Sequence, residues 1–135
     1  MVSLVICFAI VHFCITKPSL AMSSSVFQAW YKSINPVVEE CISETGVDAK
    51  TARKLFEIIL PDEGEVRCFV KCLDTKLGFL RPDGSFDKAV MMEKLDHLTP
   101  EIAVECVDKF EAEPDSCLKS YKASTCIAAK VLFSE

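Results

Sequence analysis

The sequence predicts an all-α fold, a compact bundle of six helices, and three observations predict it. From Val26 onward apolar residues recur at helical spacing. Each recurring run is bounded by a capping residue, a glycine or a proline, and nowhere do apolar and polar residues alternate as they would in a half-buried strand. The chain also carries no internal repeat, low-complexity tract or linker, so a single small domain with one core is expected.

In the first helix Phe27, Trp30, Ile34, Val37, Val38 and Cys41 hold one phase, so Pro36 bends or splits it without changing its buried face. Gly46 offers a left-handed stop. Asp48 can cap a second helix that places Ala52, Leu55, Phe56 and Ile59 on one side before Pro61. The third, from about Glu65 to Leu77, has the stripe Val66, Phe69, Val70, Leu73 and Leu77, with Arg67, Lys71 and Asp74 facing away and Gly78 at its end. In the turn sequence RPDGS, residues 81–85, Pro82 presets one backbone angle, Gly84 permits a positive one, and Ser85 can cap helix four. Helix four carries Phe86, Val90, Met91, Met92, Leu95 and Leu98, a spread too wide for one stripe, which predicts apolar contact on more than one side. Thr99 and Pro100 stand as cap and first-turn proline of helix five, whose Ile102, Ala103, Cys106, Val107 and Phe110 share a face. EAEPDS then breaks the chain, and the last helix runs from about Cys117 towards Phe133.

Residues 1–21 are expected to be a secretory signal. They are mostly apolar from Leu4 to Ile15, too short to span a membrane, and close on Ser19-Leu20-Ala21, small residues of the kind signal peptidase requires. One departure from the usual pattern is that no Lys or Arg precedes the apolar run. Cleavage after Ala21 leaves residues 22–135 as the domain. It removes Lys17 from the 15 basic residues and none of the 20 acidic ones, so the formal charge moves from −5 to −6. The product is expected to be secreted and extracellular, and an acidic surface has no electrostatic basis for gripping nucleic acid or an anionic membrane.

Cleavage also removes Cys7 and Cys14, leaving Cys41, Cys68, Cys72, Cys106, Cys117 and Cys126, separated by 26, 3, 33, 10 and 8 residues. An even count in an exported domain points to three disulfides, and six cysteines allow about 15 pairings. Cys68 and Cys72 lie about 40° apart in helical projection, well round from the apolar stripe, so each is expected to bond to a different element and not to the other. Cys117 and Cys126, nine residues apart, fall on opposite sides of the last helix, which must therefore be held by two partners. Zinc is the competing use of the close pair, but it wants a second compact ligand pair, and His97 is the lone histidine after cleavage. A bridge closing a loop of about 30 residues contributes roughly 3 to 4 kcal/mol.

The three-residue gap in CFVKC, the eight-residue gap in CLKSYKASTC and the segment NPVVEECISETGV around Cys41 resemble the insect odorant-binding proteins, in the six-cysteine class that includes pheromone-binding and general odorant-binding members. The resemblance covers essentially all of residues 22–135. It implies the pairs Cys41 with Cys72, Cys68 with Cys117, and Cys106 with Cys126. It implies a helical basket around an apolar cavity that takes up small hydrophobic ligands such as odorants, pheromones or fatty-acid-like molecules. It further implies a monomer or weak homodimer that can hand its ligand to an olfactory receptor or other membrane protein, with no cofactor.

The apolar stripes supply the candidate lining: Phe56, Ile59, Phe69, Leu73, Leu77, Val90, Met91, Leu95, Val107, Phe110, Tyr121 and Leu132. Each competes with an ordinary role in a packed core. Met91 and Met92 can form an adaptable wall. Tyr121 and Thr125 can donate a hydrogen bond to a ligand oxygen, or simply stand exposed. His97 can serve as an acid-sensitive trigger, against the plainer reading of a solvated side chain. Val131, Leu132 and Phe133 either cover the cavity mouth or finish the helix, and Trp30 is expected in the core of helix one, with contact at the cavity entrance as the lesser alternative.

Two other classes compete with a carrier. A secreted phospholipase-like enzyme would need a histidine-aspartate pair and a calcium loop, but only Asp96-His97 occurs, in reversed order and without a glycine-rich loop. A secreted interaction or scavenging protein, in saliva, venom, seminal fluid or immunity, would use the same scaffold. Binding of apolar compounds separates it from a carrier.

Overall fold

A computed structural model describes residues 25–57 and 60–132 of the chain. The expected signal segment, residues 1–21, lies outside the described residues, as do Ile59 and Phe133. The first apolar phase forms a continuous helix α1 (Ser25–Thr45) with Pro36 inside it. Pro36 is exposed, so water can satisfy the carbonyl its missing N–H leaves free, and the helix is not split. Its buried residues are Val26, Phe27, Trp30, Val38 and Cys41. Asp48 caps α2 (Ala49–Arg53) by accepting from the Thr51 N–H, and the chain then tightens into a 3-10 turn, Lys54–Glu57, instead of continuing as α-helix.

Helix α3 (Gly64–Leu77) ends on Gly78, whose φ of 80° is left-handed and whose N–H returns to the Asp74 and Thr75 carbonyls. The stripe expected from the sequence is buried, with one correction. Asp74 does not face away; it is 4% exposed. The turn at 81–85 brings Leu80 and Phe86 into an isolated antiparallel bridge. Phe86 therefore precedes helix four, and the cap of α4 (Lys88–Lys94) is Asp87, which accepts from the Val90 N–H, not Ser85. Ser85 instead donates its N–H and hydroxyl to Asp83 inside the turn.

Thr99 caps α5 (Pro100–Val107), accepting from the Ile102 N–H at 3.3 Å, and a 3-10 turn, Asp108–Phe110, follows. Asp115 accepts from the Cys117 and Leu118 N–H groups to start α6 (Ser116–Leu132). Helix α3 packs chiefly on α6 and α1, while α5 packs on the other side of α6. Disulfides join Cys41 to Cys72, Cys68 to Cys117 and Cys106 to Cys126. Helix α3 is thus tied to both α1 and α6, and α6 to both α3 and α5, the pairing that the family resemblance implies. No described helix is long and apolar enough to cross a membrane.

Candidate functional site

Helices α1, α3, α4 and α6 do not fill the space between them. A cavity of about 230 Å³, partly open to the outside, lies there. Its walls come from separate elements: Phe27 and Trp30 of α1, Leu55 and Leu60 around the second connection, Val70 of α3, and Phe79 just past the Gly78 stop. Met91 and Leu95 come from α4 and its C-terminal end. The remaining wall is a face of α6: Ser124, Thr125, Ile127, Ala128, Ala129 and Leu132.

That face explains why the space exists. Ser124 and Ala128, and Thr125 and Ala129, sit one helical turn apart, so small side chains stack where leucines would have filled the gap. An unfilled volume of this size costs up to about 5 kcal/mol in lost packing, which is of the order of one disulfide's contribution.

The sequence candidates divide. Met91, Leu95 and Leu132 line the cavity, and so does Thr125. Phe69, Leu73, Leu77 and Val107 are buried in the packed core and do not form its wall. Val90 faces the bend at Gly78. Phe56 meets the ring of Tyr31 at 4.5 Å between centroids, and Phe110 lies under the ammonium groups of Lys109 and Lys122. Tyr121 donates its hydroxyl to the Leu60 carbonyl at 2.9 Å, behind the wall. Ile59 is outside the described residues, and Met92 packs against the core. Trp30, expected as core, is buried and also lines the cavity, with its indole N–H donated to the Asp96 carbonyl at 2.9 Å.

Residues missed by the sequence reading are Phe27, Leu55, Leu60, Val70, Phe79, Ser124, Ile127, Ala128 and Ala129. The signal that points to the α6 wall is the run of small residues in ASTCIAA, 123–129. Phe79 carries no periodic signal, because it follows the helix stop.

The lining is almost wholly apolar, with Ser124 and Thr125 as its hydroxyl groups. The Thr125 hydroxyl is bonded to the Tyr121 carbonyl at 2.8 Å, and the Ser124 hydroxyl donates to the carboxyl of Asp74 at 3.3 and 3.4 Å. Burial pushes the Asp74 carboxyl up to about 7, against the opposing pull of the Ser120 and Ser124 hydroxyls. His97 is exposed beside Asp96, at 3.2 Å, away from the cavity walls. Among the described residues no group of three or more His, Cys, Asp or Glu side chains is placed to hold a metal ion.

Six helices, crossed disulfides and an apolar hollow define the class, a disulfide-stapled all-α cavity domain. The chain belongs to the PBP/GOBP family, whose model matches residues 24–130. General odorant-binding protein 99a of Drosophila melanogaster is 27% identical over 96 residues, covering 66% of this chain and 68% of that one. General odorant-binding protein 99b of the same species is 25% identical over 97 residues, 64% of each chain. In fold, the chain is similar to a pheromone-binding protein from the cockroach Leucophaea maderae, solved in complex with the fluorescent reporter ANS. The TM-score is 0.63 at 17% identity, over 74% of this chain and 93% of that one.

Proposed function

We propose that the protein is a secreted carrier that binds small hydrophobic ligands, such as odorants, pheromones or fatty-acid-like molecules, in this cavity and moves them through aqueous fluid. The observation that carries the reading is the apolar hollow of about 230 Å³ held between cross-linked helices. A cavity of about 150 Å³ takes benzene, so by the same ratio this one holds a ligand of roughly nine non-hydrogen atoms, with its partly open side allowing more. Affinity would come from ligand surface removed from water, roughly 25 cal/mol per Å² less the costs of association. Non-covalent capture asks for no nucleophile or general base in the wall.

The test is fluorescence of ANS with the oxidised protein, together with the variant Ala128→Trp, which puts an indole into the hollow. The wild type is expected to bind the dye saturably and the variant to lose most of that binding while keeping its helical circular dichroism. A correctly oxidised wild type that binds neither ANS nor any other apolar probe would turn the reading towards an interaction or scavenging protein.

A further inference from the structure

The cavity presents an unusual imbalance of hydrogen-bonding groups. Among the described residues, three lining side chains carry a hydrogen-bond donor: Trp30, Ser124 and Thr125. All three donors are already engaged by the protein. The Trp30 indole N–H goes to the Asp96 carbonyl at 2.9 Å, the Thr125 hydroxyl to the Tyr121 carbonyl at 2.8 Å, and the Ser124 hydroxyl to the Asp74 carboxyl at 3.3 and 3.4 Å. The indole then has nothing left to offer, because it is a donor only, whereas each hydroxyl oxygen keeps lone pairs that can accept.

Asp74 keeps Ser124 in this role whichever form it takes. As a carboxylate it only accepts. As a carboxylic acid it still holds a carbonyl oxygen for Ser124, while its own proton can go to Ser120, whose buried hydroxyl otherwise has no hydrogen-bond partner among the described residues. Among the described residues the wall also holds no cationic side chain to meet an anion, and a buried carboxyl stands one layer behind it.

We infer that the cavity selects ligands that donate a hydrogen bond, an alcohol or phenol of about nine non-hydrogen atoms, over aldehydes, esters and carboxylate anions of the same size, and that Ser124 and Thr125 set this selectivity. The inference rests on the carrier reading and adds the polarity of the ligand. An aldehyde oxygen brought to the described part of this wall meets donors that are already engaged and stays unpaired, whereas an alcohol can donate to either hydroxyl oxygen.

The experiment is displacement of N-phenyl-1-naphthylamine from the oxidised protein by 1-octanol, octanal and octanoate at neutral pH, in the wild type and in the variants Ser124→Ala and Thr125→Val. The wild type is expected to bind octanol about three- to tenfold more tightly than octanal, with octanoate weakest. At least one variant should bring the octanol-to-octanal ratio close to one through loss of octanol binding alone. Because the readout is a ratio within one protein, it does not depend on how stable each variant is, and Thr125→Val keeps the shape of the wall. Dye binding with equal affinity for octanol and octanal, with no displacement by either, or with a ratio unmoved in both variants overturns the inference and leaves the carrier reading standing. Absence of dye binding by the wild type overturns both.

Discussion

Asp74 is the residue whose placement departs furthest from its chemistry. On α3 it stands one turn after Val70 and three residues before Leu77, a phase shared with the buried face, yet its charge argues for the outside. Tertiary packing decided the matter, because α6 brings the Ser124 hydroxyl to it as a hydrogen-bond partner and sets the buried Ser120 beside it. Desolvation raises the folded carboxyl from its ordinary 3.8 to about 7. The folded chain therefore keeps a proton that the unfolded chain releases between these values, so Asp74 makes stability fall as pH rises from about 4 to about 7 and adds no further change above. Asp74→Asn keeps the shape without the charge. In urea titrations it is expected to be more stable than the wild type at pH 8, by up to a few kcal/mol, with the margin shrinking steadily as the pH is lowered towards 4. A margin independent of pH would show that the carboxyl is ionised in the fold throughout. The exposed carboxylates of Asp48, Asp62 and Asp83 and the half-buried one of Asp87 are shifted the other way, chiefly by hydrogen bonds, and the comparison between two proteins that share them cancels their contribution.

Among the elements, the turn between α3 and α4 shows what holds irregular backbone in place. Arg81 and Ser85 close it through main-chain bonds, and Lys119 of α6 reaches across to donate to the Gly84 carbonyl at 2.6 Å, with its ammonium 5.3 Å from the centre of the Phe86 ring. Lys119 is buried, and Glu111 pairs with it at 3.4 Å. Its role was invisible in the sequence because the partner is a main-chain oxygen 35 residues away. The turn chemistry itself was legible in RPDGS, but the cap of α4 was not. Two residues after Ser85, Asp87 was equally able to cap, and the bridge between Leu80 and Phe86 gave it the position. Lys119→Met keeps the apolar stem and removes the donor. It is expected to destabilise by roughly 1 to 3 kcal/mol in denaturant titration, and to speed hydrogen exchange at Gly84 more than in the middle of α6. Unchanged exchange at Gly84 would mean that the turn holds itself.

For the whole molecule, the question is how a bundle stays folded around a hollow. The cavity gives up packing that a solid core would have, and the three bridges close loops with separations of 31, 49 and 20 residues. In the chain-entropy model each contributes roughly 3 to 4 kcal/mol, a large part of a domain stability of about 5 to 15 kcal/mol. Replacing Cys41 and Cys72 together by alanine is therefore expected to lower unfolding free energy by about that amount. It should weaken dye binding as well, because α1 supplies Phe27 and Trp30 to the wall. Equilibrium unfolding with and without saturating dye measures both effects, and a double variant as stable as the wild type would remove the bridges from the explanation.

The helical phases, the caps Asp48 and Thr99 and the Gly78 stop were determined by the sequence alone, because each acts over three or four residues of backbone. So was the need for α3 and α6 to be gripped on two sides, which follows from cysteine spacing along a helix. Which apolar face borders the cavity was decided only by the tertiary structure. Phe69 and Val70 are neighbours on one stripe, and Met91 and Phe79 come from an element and a bend that periodicity treats differently. A stripe says that a side chain leaves water. Whether it meets other side chains or a hollow depends on the small residues that a distant helix, here α6 with its alanines and hydroxyls, sets opposite it.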